Sequence, residues 1–237
     1  MSVTLQESLL DLGDEVVPGP LRPERVPLSR GAWVDVQRGW LAGSAPLFTR
    51  LARAVPWRAE RRRMYDRTDD VPRLLCFYGE NAPLPDPALE ACRAALNGYY
   101  AAELGEPFVT AGLCLYRDER DSVAWHGDTI GRGSTEDTMV GIVSLGEARP
   151  LLLRPRAGAG AGRGADAGRG ADAGRGADAG RVADGGRGPG TLRYNLGHGD
   201  LIVMGGSCQR TWEHAVPKSA RPAGPRISVQ FRPRGVR

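Results

Sequence analysis

Long apolar runs are missing from this sequence. The longest, such as Met139–Leu145 and Leu201–Met204, fall far short of the roughly 20 residues a membrane-spanning helix needs. No secretory leader is expected either, because Glu7, Asp11, Asp14 and Glu15 stand where a basic and then an apolar stretch would be required. Cysteine is scarce: Cys76, Cys92, Cys114 and Cys208 form no C-x-x-C pair. That excludes zinc-finger and thioredoxin-like readings and leaves reduced, mostly buried thiols, as expected of a cytoplasmic protein. Aromatic residues make up only 6%, and there are only three histidines. A membrane protein, a secreted protein and a fully disordered chain are therefore not expected.

What remains is a chain of 237 residues, 41% hydrophobic and 25% charged, enough for one globular domain with extensions. Glycine is the exception. There are 33, about twice the usual share, and 13 of them fall in residues 157–190 together with 10 Ala, 5 Arg and 4 Asp. This stretch repeats a hexad, Arg-Gly-Ala-Asp-Ala-Gly, with Arg at 163, 169, 175, 181 and 187. A β-helix of hexads needs a large aliphatic residue in every turn, and Val182 is the only one here. A segment with nothing to bury cannot offset the entropy of ordering it. It is therefore expected to be a flexible insertion between two strands.

The net charge of +4 is unevenly placed. Residues 50–73 carry eight Arg against four acids, and residues 218–237 carry Lys218 and five Arg with no acid. Scattered surface arginine is common, but two basic clusters in an otherwise balanced chain keep a polyanionic partner in view.

The chain divides into an N-terminal extension (1–45), a helical segment (46–109) and a β-rich core (110–235) interrupted by the insertion. Residues 1–25 have weak periodicity and read as a loose extension, with a short strand at Trp33–Val36. Leu47, Phe48, Leu51 and Val55 form one helical stripe. Residues 58–70 read as a surface loop or a poorly covered hairpin, followed by a strand over Arg73–Tyr78. Asp86-Pro87 starts a helix whose apolar face is Leu89, Cys92, Leu96, Tyr99 and Leu104, ended by Gly105. After Pro107 come short strand-like runs at 108–116, 122–125, 138–145, 151–153, 200–204, 211–216 and 226–232. Many short strands without intervening helices predict an antiparallel sandwich or barrel, with the helices covering one face.

Two of the three histidines begin H-x-D motifs. In His126-Gly127-Asp128 an imidazole and a carboxylate stand at i and i+2, which on a strand is one face. With His214 on a later strand they suit the facial triad of two His and one carboxylate that holds non-haem Fe(II) and leaves positions open for co-substrate and dioxygen. The second motif, His198-Gly199-Asp200, reads as a tight turn entering a buried strand, so His198 is assigned a structural role. Arg226-Ile-Ser228-Val-Gln230-Phe-Arg232 alternates strictly, with two arginines on one face about 20 Å apart at ~3.3 Å per residue. Such a face suits a dicarboxylate bound to metal at one end and gripped by a bidentate Arg at the other.

These residues carry a resemblance. The run Tyr116–Asp128, Gly199-Asp-Leu-Ile-Val-Met-Gly-Gly, Trp212-Glu-His214 and Arg226-(five residues)-Arg232 are similar to AlkB-like dioxygenases, as are Pro72-Arg73 and Phe77-Tyr78-Gly79. The resemblance implies a mostly β fold with flanking helices around a double-stranded β-helix, or jelly-roll, core. It implies Fe(II) on His126, Asp128 and His214, with dioxygen and 2-oxoglutarate as co-substrates. Tyr116 and Arg226 would hold the distal carboxylate of 2-oxoglutarate, with Ser228 beside them and Arg232 near its other end. Cys114 and Ser228 replace Asn found in many members, each losing a possible hydrogen bond to the co-substrate.

The implied activity is oxidative removal of N-alkyl lesions from bases of DNA, or of RNA, releasing formaldehyde, succinate and CO2 in repair of damage. Alkylated nucleic acid is then the expected partner, with Arg61, Arg62, Arg63 and Arg73 on phosphates and Tyr78 stacked on the base. No membrane partner is expected, and the chain is expected to be a monomer. The alternatives are the same chemistry on a protein or small molecule, and a non-catalytic basic nucleic-acid-binding protein. A zinc hydrolase using His126, Asp128, His198 and His214 leaves the Arg226/Arg232 pair unexplained.

Overall fold

A computed structural model describes residues 16–64, 67–157 and 190–236, with side chains outside the description at 61–70. The repeat insertion lies outside the described residues, apart from its ends. The strands are β1 (Val17–Pro18), β2 (Glu24–Pro27), β3 (Ala32–Gln37), β4 (Leu41–Ala42), β5 (Arg58–Met64), β6 (Arg67–Tyr78), β7 (Thr110–Tyr116) and β8 (Val123–His126). The remaining six are β9 (Val140–Gly146), β10 (Arg149–Pro155), β11 (Leu192–Leu196), β12 (Asp200–Gly206), β13 (Trp212–Val216) and β14 (Arg226–Arg232). Helices α1 (Ser44–Ala54) and α2 (Pro87–Leu104) precede β7, and the short α3 (Cys208–Thr211) leads into β13.

An eight-stranded sheet runs β2-β3-β12-β9-β14-β7-β6-β5, and a four-stranded sheet runs β11-β10-β13-β8. All their pairings are antiparallel. Two such facing sheets make the jelly-roll core. Each sheet faces the other on one side, and the larger one packs its second side on α1 and α2. Strand β14 displays both environments: Ile227, Val229 and Phe231 enter the helix-side core, while Arg226, Ser228, Gln230 and Arg232 line a cavity between the sheets. Strict period-two alternation is what a strand between two unlike layers requires.

Helix α2 begins where Asp86 and Pro87 predict, with the Asp86 carboxylate accepting the Ala88 N–H at 3.0 Å. The same carboxylate accepts Arg50 Nε of α1 at 2.6 Å, which fixes the two helices together. Its buried stripe runs Leu89, Cys92, Leu96 and Tyr100, whereas Tyr99 is 49% exposed. Eleven residues separate Leu89 from Tyr100, close to three helical turns, and ten would leave the core face. Burying each such leucine contributes on the order of 1.5–3 kcal/mol.

The N-terminal segment departs from the expected extension. Residues from Glu24 onward belong to the larger sheet, where β3 pairs with β12 over Ala32–Gln37. Asp35 is buried and accepts both Arg25 Nε at 2.7 Å and the Tyr100 hydroxyl at 2.9 Å. Burying that carboxylate is tolerable because it is fully partnered. The signal is weak in the sequence because β2, at the sheet edge, keeps Glu24 and Arg25 exposed. Of the two readings of this stretch the hairpin holds: β5 and β6 pair antiparallel, from Arg58 opposite Leu75 to Met64 opposite Arg67. At the insertion, β10 and β11 pair through Leu153 and Leu192, so its two ends are held together by a ladder. No helix of the described residues is long and apolar enough to cross a membrane.

Candidate active site

The cavity between the sheets measures about 1480 Å³. His126 at the end of β8 and His214 in β13 are directly paired across the smaller sheet, and their ring centroids lie 4.2 Å apart. Asp128 follows two residues after His126, with an oxygen 4.0 Å from His126 Nε2. One ligand atom from each of the three lies within 4.8 Å of the others. That is a donor set of two imidazoles and one carboxylate, able to hold a divalent metal.

Backbone explains why the middle residue is glycine. A Cβ on Gly127 would come within 2.3 Å of the Gln209 carbonyl oxygen and 3.2 Å of that of Trp212. Strand β8 ends at His126, so Asp128 lies in the segment just after it, and that segment must lie flat against the α3–β13 turn. The outer shell is equally definite. His126 Nδ1 lies 2.8 Å from the Ala124 carbonyl, and since a carbonyl only accepts, Nδ1 carries the proton and Nε2 is left for a metal. Asp128 N–H donates to Gln209 Oε1 at 3.0 Å, and Arg232 Nε donates to Asp128 Oδ2 at 2.6 Å.

Burial pushes both imidazoles below their ordinary value, His214 to about 3. Burial pushes the Asp128 carboxyl up, but Arg232 and the two histidines outweigh it and hold the group at about 2. Neutral imidazoles beside an ionised carboxylate are the protonation states that metal ligation needs.

Arg226 stands opposite Tyr116 across the β7–β14 ladder, with its guanidinium 5.3 Å from the ring centroid. Both are almost fully buried. Arg226 Nε donates to Ser144 Oγ at 2.9 Å, while its Nη1 is buried with no hydrogen-bond partner. Burial lowers the pKa of Arg226 and raises that of the Tyr116 phenol to about 12. A neutral phenol and an unpaired guanidinium N–H, both buried at the cavity wall, fit a carboxylate, which would satisfy that orphan donor. Ser228 lies next along β14, where its hydroxyl accepts from Gln230 Nε2 at 3.2 Å. Arg149, missed in the sequence, is buried and donates to the carbonyls of Asp118 and Asp121 at 2.9 Å and of Pro217 at 2.8 Å. It ties the turn after Tyr116 to the end of β13.

The expected substrate side is met in part. Arg73 lines the cavity and donates to the Ser122 carbonyl. Tyr78 does not reach it: that ring packs on the helix-side core, and its neighbour Phe77 lines the cavity instead. Adjacent strand residues face opposite ways, and Leu74–Tyr78 is apolar throughout, so nothing in the run fixes which face is which. The side chains of Arg61, Arg62 and Arg63 lie outside the described residues; their backbone is in β5. His198 is remote from the triad and accepts Gly146 N–H through Nδ1 at 2.6 Å, in keeping with a structural role.

Residues 50–232 match the model of the 2OG-Fe(II) oxygenase superfamily. The chain belongs to that superfamily. This oxygenase therefore uses Fe(II), 2-oxoglutarate and dioxygen, and the triad and the Arg226 pocket fit the first two. It is 28% identical over 237 residues to alpha-ketoglutarate-dependent dioxygenase alkB homolog 3 of Bos taurus, covering 94% of this chain and 72% of the relative. It is 27% identical over 213 residues to DNA oxidative demethylase ALKBH2 of Arabidopsis thaliana, covering 84% of this chain and 63% of the relative. The oxygenase also shares its fold with a prolyl hydroxylase of Trichoplax adhaerens, at a TM-score of 0.52 and 8% identity over 84% of this chain and 83% of that one.

Proposed function

We propose that this oxygenase is an oxidative demethylase that removes N-alkyl groups from nucleobases of DNA or RNA. In this reading His126, Asp128 and His214 hold Fe(II), and Arg226 with Tyr116 binds the distal carboxylate of 2-oxoglutarate. When bound, iron and co-substrate supply the activation of dioxygen and the hydroxylation of an N-alkyl carbon, which then leaves the base as formaldehyde. The protein's own residues orient these groups, with Arg226 and Tyr116 buried at the cavity wall.

The observation that carries the reading is the composition of the cavity wall. Arg73, Phe77, Trp125 and Arg154 line the same space as the triad, and Phe77 is 48% exposed. Arg154 lies 4.2 Å over the Trp125 ring. Arg154 is also paired with Glu213 at 3.0 Å, so the exposed Phe77 ring and Arg73 are the groups that suit a base and its flanking phosphate. The volume exceeds the roughly 300–1,000 Å³ of a small-molecule pocket, so the cavity has space beyond the co-substrate. A base inside a duplex would have to be flipped out or offered single-stranded to reach the triad. One relative, of Arabidopsis thaliana, is named as a DNA oxidative demethylase, which agrees with this class of substrate.

The test is turnover on N-methylated and unmethylated DNA and RNA oligonucleotides. Formaldehyde and succinate should appear in about equal amounts with methylated strands only. Succinate formation indifferent to every oligonucleotide, but coupled to a peptide or a small molecule, would move the substrate elsewhere.

A further inference from the structure

Asp128 does not stand alone in the cavity. Its Oδ2 accepts Arg232 Nε at 2.6 Å, and Arg232 Nη2 donates in turn to Gln230 Oε1 at 2.9 Å. The Gln230 amide nitrogen then donates to Ser228 Oγ at 3.2 Å and contacts Cys114 Sγ at 3.3 Å. Every hydrogen-bonding atom of the Gln230 side chain is engaged, and its carbonyl is committed to the arginine that grips Asp128. The Arg232 side chain is 11% exposed and that of Asp128 5%, so water does little to substitute for these contacts.

The facing strand makes room for the arrangement. Gly112 stands opposite Gln230 in the β7–β14 ladder. A Cβ there would lie 2.9 Å from Arg232 Nη1 and 3.5 Å from Gln230 Oε1. The nearer atom is the far end of a flexible side chain, so an added methyl would displace the guanidinium while sparing the backbone. Because that group is planar and rigid, a shift of Nη1 is passed on to Nε and so to its contact with Asp128.

We propose that Gln230 is a positioning residue for the metal-binding carboxylate. It holds Arg232 against Asp128 and joins that contact to the Cys114–Ser228 wall of the cavity. The inference rests on the reading of His126, Asp128 and His214 as the metal ligands.

The test is Mn(II) binding without co-substrate, followed by electron paramagnetic resonance of the free ion, with melting temperature as the check on folding. Gln230→Leu removes the acceptor that holds Arg232, and Gly112→Ala displaces Arg232 with Gln230 intact. Each should weaken Mn(II) binding on the order of 10-fold, the low end for partners outside the ligand shell. Gln230→Glu keeps an acceptor for Arg232 and loses the amide donor, so Mn(II) affinity should stay within about threefold of the parent. Parent-like Mn(II) affinity in folded Gln230→Leu or folded Gly112→Ala would overturn the inference and leave the ligand reading standing. A parent protein whose Mn(II) binding survived His214→Ala unchanged would instead remove the ligand reading, and this inference with it.

Discussion

Alanine in place of His126, Asp128 or His214 should abolish 2-oxoglutarate turnover, whereas His198→Ala should keep a substantial fraction of it. The three residues are the one group of His, Cys, Asp or Glu among the described residues whose ligand atoms converge to hold a metal ion. His214 is 7% exposed and faces His126 across the smaller sheet, so its loss removes a buried imidazole from the donor set. His198 makes a different contribution, accepting the Gly146 N–H at a turn. A neutral hydrogen bond of that kind is worth about 1 kcal/mol of stability. Asp128→Ala carries a second cost, because it leaves Arg232 without its buried partner, typically about 3–5 kcal/mol. His214→Ala is therefore the cleaner variant. Iron content after anaerobic purification, together with succinate formation, reads both effects. A folded but inactive His198→Ala beside an active His126→Ala would reverse the ligand assignment.

Arg226→Lys should weaken 2-oxoglutarate binding by on the order of 1–3 kcal/mol, roughly 5- to 150-fold, while Fe(II) binding without co-substrate barely changes. Lysine preserves the charge but loses the planar fork. In the parent that fork splits its duties: Nε is spent on Ser144 Oγ, and Nη1 remains buried and unpartnered. An ammonium cannot serve both directions from one point. Tyr116, held neutral by burial, adds a hydroxyl donor to the same pocket. The Michaelis constant for 2-oxoglutarate is the measurement, and an unchanged value would detach the dicarboxylate from β14.

How much of this was legible depended on whether a residue sat in a patterned strand. Strand β14 could be read to the residue because its two faces meet unlike layers, apolar helices on one side and a polar cavity on the other. The His126-Gly127-Asp128 motif was legible from residue types at close spacing rather than from strand alternation, since β8 ends at His126 and Asp128 lies just beyond it. The need for glycine at 127 comes from the Gln209 and Trp212 backbone, distant in sequence. Strand β6 gave no such handle. Its run Leu74–Tyr78 is apolar on both faces, and Phe77 lies in the cavity where Tyr78 is expected. Gln209 and Arg149 escaped notice because each acts through the backbone of another segment, which leaves no periodic trace. Strand β3 was legible in part, at Trp33–Val36, whereas β2 was hidden by its place at the sheet edge, where Glu24 and Arg25 stay exposed.

The central claim is that one cavity binds metal and 2-oxoglutarate together, through the triad at one end and Arg226 at the other. Anaerobic calorimetric titration of 2-oxoglutarate into the protein, with and without Fe(II), tests it most directly. One equivalent should bind with Fe(II) present, and affinity should fall roughly tenfold or more when the metal is withheld or His214 is replaced by Ala. Binding of equal strength without metal, and undisturbed by His214→Ala, would contradict it.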